Sequence, residues 1–284
     1  MNGFKGTLSN LEACESIASA LSELKIPRSI LPIGDGGAGT GMALHLAKGG
    51  EFVPIDSIDP KGRKVDAPVL CFPNASQPSR IYIDSSSVCG YTLIGENERK
   101  ALEPSSSGLG VLLNKALLKW KSSLKEIWIG LGDSAISDMG MGMLSELGVE
   151  FWNNKKESLL PKTENLIHIS EFSKIKTDLN GIAFTVLCDV ANPLCGPEGS
   201  AKVFSPQKGA TAGEVELIGK GMENFGTLIE KNLGLLIKSS PMMGSAGGLA
   251  STLFAFFNAK LVPGCEFLLN QISFDQKLEV HDLV

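Results

Sequence analysis

The chain has 284 residues, 43% hydrophobic and 20% charged, so it carries material for a sizeable core and is not a disordered chain. A formal net charge of −5 argues against a nucleic-acid surface, though a local group of lysines can still hold a small anion. Six scattered cysteines without a C-x-x-C pair fit reduced thiols in a cytoplasmic protein, and three distant histidines (His45, His168, His281) argue against a zinc site.

"MNGFKGTLSN" lacks the apolar run of a secretory signal, and "LASTLFAFF" (249–257) is far too short to span a membrane. Ser9 and Glu12 form a capping box, and Cys14, Ile17, Ala18, Leu21 and Leu24 recur on one helical face before Pro27. "SILPI" (29–33) reads as a short buried strand, with "GDGGAGT" (34–40) as the turn into the next helix. "APVLCF" (67–72) and "RIYID" (80–84) read as strands joined by a polar loop. Then come a helix over 109–120, a strand over 126–131 and a helix over 141–147 with Gly148 behind it. A strand over 184–188 and a helix over about 213–233, stopped by Gly234, follow. This alternation predicts an α/β architecture, and the composition shift near residue 50 is the expected domain boundary.

Three glycine-rich turns each follow a predicted strand and each carries an acid: Asp35, then Asp133 with Asp138, then Asp189. Loops at the carboxyl ends of strands in α/β sheets collect ligands, and glycines let the backbone approach a phosphate closely. Carboxylates there suit Mg²⁺, which takes one or two of them together with phosphate oxygens. The plainer alternative is that the glycines serve turn geometry while the acids cap helices. Neither "GDGGAGTG" nor "GSAGGLAS" (244–251) continues as a Walker loop, and the first also fails the dinucleotide pattern. "SPQK" (205–208) matches S-x-x-K, yet Pro206 and Gly209 oppose the helix turn that a Ser–Lys nucleophile pair requires. Lys208 reads either as a point charge for a carboxylate or phosphate, or as a solvated loop lysine.

The segments "FKGTLS" (4–9), "DGGAGT" (35–40), "SAISDMGMGML" (134–144), "CDVANPLCGPEGSAKVFSPQKGAT" (188–211) and "GSAGGLASTLFAF" (244–256) resemble the class I glycerate kinases, in the same order and essentially end to end. The resemblance implies a two-domain α/β fold: residues 1–50 plus 265–284 as part of a Rossmann-like domain, incomplete in this chain, and 51–264 as an inserted second domain. It implies transfer of the γ-phosphoryl group of ATP, with Mg²⁺, to a hydroxyl of D-glycerate, without nucleic-acid or membrane partners; a homodimer is an open expectation.

On matching positions stand Lys5, Asp138, Asp189 and Lys208 as catalytic candidates, and Asp35, Gly36, Gly37, Gly39, Ser134 and Asn192 as substrate-binding ones. Asp189 is also the metal candidate. Asn2, Ala38, Asp133 and Ser137 depart from the family pattern, which has Asp, Glu, Gly and Asn there. The chain begins after the family's first strand and ends before its I-T-G-E-G-R segment, so the alternative expectation is a shortened, inactive member that at most binds a small anion.

Overall fold

The computed structural model describes residues 7–279 and residue 281. Its centre is a sheet of six strands in the order β1 (Glu51–Ile58), β2 (Lys64–Phe72), β3 (Arg80–Asp84), β4 (Glu126–Gly130), β7 (Ala183–Cys188) and β8 (Lys260–Pro263). The first three strands pair antiparallel, while β3, β4, β7 and β8 run parallel. A separate short ribbon pairs β5 (Phe151–Trp152) with β6 (Glu171–Phe172).

Successive strand residues point to opposite faces, and both faces of this sheet are covered. Ile81 and Ile83, Ile127 and Ile129, and Val186 face one core. That core takes side chains of α4 (Ser107–Trp120), α5 (Met141–Glu146), α7 (Ala212–Leu233) and α8 (Leu249–Phe257). The intervening Tyr82, Trp128 and Leu187 face the other core, with Ala43 and Leu44 of α2 (Thr40–Lys48) and Leu268 of α9 (Gly264–Gln271). The remaining helices are α1 (Asn10–Glu23), α3 (Ser86–Cys89), α6 (Ser200–Phe204) and α10 (Phe274–Leu278).

The mixed α/β fold is as the sequence predicts, and so are the capping box at Ser9 and Gly234 as the left-handed stop of α7. Residues 29–33 are not a strand: no described strand lies beside them to complete a hydrogen-bond ladder, and Leu31 and Ile33 instead pack as coil on the second core. The apolar stripe of α1 is only partly used, since Ala13 and Ala18 are buried while Ile17 and Leu24 face solvent. Strand β1 escapes prediction because its polar alternation and Pro54 obscure an edge strand. No two cysteines are joined, and among the described residues no helix is long and apolar enough to cross a membrane.

Candidate active site

The carboxyl ends of β3, β4, β7 and β8 lie side by side, so parallel pairing alone gathers the loops that follow them. The turn over 34–40 crosses these ends. Gly36 sits at φ 101° with its carbonyl accepting from the Gly132 amide at 3.0 Å, and a Cβ there would lie 2.8 Å from the Leu187 carbonyl oxygen. Within the turn the Gly37 amide donates to Asp35 Oδ1 at 3.0 Å, and the Ala38 amide donates to Asp133 Oδ2 at 3.2 Å. Asn10 of α1 ties the turn to the helix by donating to the carbonyls of Ile33 and Gly39. Asp35, Gly36, Gly37 and Gly39 are thus brought together with the loop after β4.

That assembly contains an acid absent from the sequence reading. Asp84 ends β3, accepts the Ser86 amide at 3.0 Å, and its carboxyl is pushed up to about 6. Burial is the main cause, and the charges of Asp133 and Asp35 add to it. Asp84 therefore lies within electrostatic reach of both Asp133 and Asp35. The only sequence sign was an acid at the end of a buried strand. Ser134 stands in the same loop, bridged to Gly90.

Lys208 and Asp138 are both buried and lie within electrostatic reach of each other. Lys208, on the single turn Pro206–Lys208, is 4% exposed and donates from Nζ to the Ile136 carbonyl at 2.5 Å. Burial lowers its ammonium to about 8, against the raising charges of Asp138 and Asp189. It is not a solvated loop lysine, and with Nζ committed to Ile136 and Ser205 buried, the two do not present a nucleophile pair.

Asp138 is fully buried, and its Oδ2 accepts from the Ser106 amide and hydroxyl, both at 2.8 Å, and from the Gly142 amide at 3.2 Å. Its Oδ1 accepts from the Gly140 amide. Burial still raises its carboxyl above the usual range, because those bonds only partly offset desolvation.

The long motif after β7 is a braced loop. Asp189 is exposed at its start, within electrostatic reach of Lys208. Asn192 donates from Nδ2 to the Glu198 carbonyl at 2.8 Å, and its own carbonyl accepts from Gly244 at 3.0 Å. Ser200 closes the loop by donating to the Gly244 carbonyl at 2.7 Å. Asn192 therefore shapes the loop with the amide that the sequence reading assigned to substrate. Lys5 lies outside the described residues.

Glycine-rich turns carrying acids, above a buried lysine at the ends of parallel strands, define an α/β protein built to receive a charged small molecule there. The glycerate kinase family model matches residues 1–284, and the chain belongs to that family. It is 32% identical to the glycerate kinase of Halalkalibacterium halodurans and 31% identical to that of Bacillus subtilis; in both cases all of this chain matches 74% of the relative. The glycerate 2-kinase of Escherichia coli is 28% identical over 99% of this chain and 73% of its own length. Among solved structures, a Salmonella typhimurium LT2 chain assigned as a glycerate kinase 2 superposes with a TM-score of 0.83 at 30% identity, over all of this chain and 75% of that one.

Proposed function

We propose that the protein is a class I glycerate kinase, transferring the γ-phosphoryl group of ATP to a hydroxyl of D-glycerate. Membership of the family supports the reaction class, and one observation carries its placement: Lys208 is buried against Ile136 within electrostatic reach of Asp138 and Asp189. Phosphoryl transfer asks a protein chiefly for alignment and fixed charge. The substrate hydroxyl oxygen bonds to the γ-phosphorus, the bond to the β-phosphate oxygen breaks, and ADP leaves as the hydroxyl proton is lost.

In this reading Asp189, exposed at the loop entrance, accepts that proton or orients the hydroxyl. Lys208 offsets anionic charge, and Lys5 shares this task. Asp138, with both oxygens taken up by Ser106, Gly140 and Gly142, positions Lys208 through its charge.

The donor set fits Mg²⁺. Asp35, Asp84 and Asp133 offer only oxygen, the donor that Mg²⁺ takes, and the charges of Asp133 and Asp35 both reach Asp84. Among the described residues no three acidic, His or Cys groups are placed to hold a metal ion by themselves. One or two of these carboxylates, or Asp189, would hold it together with phosphate oxygens, and it would neutralise phosphate charge. Residues 1–50 and 265–284 are read as one unit and 51–264 as the inserted one.

ADP release from ATP and Mg²⁺, measured with and without D-glycerate, tests the proposal. Glycerate-dependent turnover lost in Asp189→Ala is the expected result. Glycerate binding heat without turnover in the folded wild type would overturn it in favour of a non-catalytic anion binder.

A further inference from the structure

Beside the acid-bearing turns lies a cation that the sequence reading did not use. Tyr91 links two loops of the site: its amide donates to the Asp133 carbonyl at 2.9 Å, and its hydroxyl donates to the Gln207 carbonyl at 2.7 Å. The Arg99 guanidinium lies over that ring, 3.9 Å from its centroid. Its backbone closes on the same turn, since a Cβ on Gly209 would come within 2.9 Å of the Arg99 carbonyl oxygen. Arg99 is thus fixed against Tyr91 and against the turn at Gly209, next to Lys208.

What holds the guanidinium is stacking, not a carboxylate. Its ion pair is a 3.7 Å contact from Nη1 to Glu96, a side chain 86% exposed, and its Nε is buried without a hydrogen-bond partner. A planar fork whose rotation is already restricted by an aromatic face loses little further entropy on pairing with a planar anion.

We propose that Arg99 is a specificity-determining residue that binds the carboxylate of the hydroxy-acid substrate, Tyr91 acting as its positioning platform. Arg99 takes the planar carboxylate, which its fork matches, while Lys208 as a point charge serves the phosphoryl side. Among the described residues its ion pair is the contact with the exposed Glu96, which is weak.

The inference rests on the glycerate kinase reading, and the test separates the two. Wild type, Arg99→Lys and Arg99→Ala are compared for KM toward D-glycerate and toward ATP, and for calorimetric binding of D-glycerate and its neutral amide, glyceramide. Loss of charged hydrogen bonds should raise the D-glycerate KM by roughly 10- to 100-fold in both variants. The ATP KM should stay within about twofold and melting temperatures should match wild type. Preference for glycerate over glyceramide should collapse.

Arg99→Lys keeps the charge and long stem, so it remains informative if the alanine variant folds poorly. An unchanged D-glycerate KM with turnover intact, or a rise confined to the ATP KM, overturns the Arg99 assignment alone. A folded wild type that neither binds nor phosphorylates D-glycerate overturns the parent reading and this one with it.

Discussion

Lys208 and Ile136 join two loops that are 72 residues apart, the buried ammonium donating to the Ile136 carbonyl at 2.5 Å. The turn after α6 is thereby fastened to the loop after β4, and a positive charge is fixed beneath the carboxyl ends of the parallel strands. Replacing Lys208 with Met should lower kcat by roughly 10²- to 10³-fold, the usual cost of one preorganised charge at a reacting centre. It should also destabilise the fold by about 1–3 kcal/mol, since the Ile136 carbonyl and Asp138 lose their cation. Steady-state ADP release and thermal melting check the two parts separately.

The same burial makes the lysine a pH-dependent group. In the folded chain it loses its proton near pH 8, whereas the unfolded chain keeps it to about 10.4. Between these values the unfolded state binds more protons, so this group's contribution to stability rises with pH across that window. Affinity for anionic substrate should fall across the start of the same window as the ammonium is lost. A pH series of the substrate KM should bend near 8 in wild type, and the bend should vanish in Lys208→Arg, whose guanidinium stays charged.

Asp138 holds four donors, and three of them converge on Oδ2. Asp138→Asn must turn an amide N–H toward some of these donors, which leaves buried groups unpaired. A loss of about 2–4 kcal/mol in denaturant unfolding is expected. Ser106→Ala removes the hydroxyl that donates to Asp138 and accepts from the Met143 amide, and should cost about 1–2 kcal/mol. The two losses should be non-additive in a double-mutant cycle because they share one network.

How far the sequence reaches is seen in these same residues. The strands after which Asp133 and Asp189 fall were readable as apolar runs, and the glycine turns followed from local chemistry. Lys208 was readable as a residue but not as a buried one, since its burial depends on Ile136, 72 positions away. Asp84 and Arg99 acquire their character only from packing, one chiefly from burial with the charges of Asp133 and Asp35 beside it, and the other from an aromatic face. The misread run at 29–33 makes the converse point: a β-like pattern becomes a strand only where a neighbour offers a ladder.

Close backbone approach gives another test. A Cβ on Gly264, at the start of α9, would lie 1.8 Å from the Asp35 carbonyl oxygen and 2.2 Å from its carbonyl carbon. Both are backbone atoms, so no rotamer change can relieve the clash. Gly264→Ala should force the 34–40 turn away from the strand ends, with a loss of more than about 2 kcal/mol and of substrate-dependent turnover. Gly213→Ala on α7 meets nothing within 4 Å and should leave both unchanged, which serves as the control.

Asp84 supplies the last prediction, in which function and stability oppose each other. Its carboxyl, raised from 3.8 to about 6, stays protonated in the fold at pH values where the unfolded chain has already ionised. Stability therefore falls as pH climbs from about 4 to 6, and above that range the ionised group carries a standing penalty. Asp84→Asn keeps an oxygen for the Ser86 amide and removes the repulsion with Asp35 and Asp133. At pH 7.5 the variant should be more stable than wild type by roughly 1–3 kcal/mol, and near pH 4 the two should converge. Millimolar Mg²⁺ should raise the melting temperature of wild type more than that of the variant, because the cation relieves a repulsion the variant lacks. Turnover should fall in the variant despite its higher stability. A variant less stable than wild type at pH 7.5 would show that ionised Asp84 carries no penalty from its burial and its acidic neighbours.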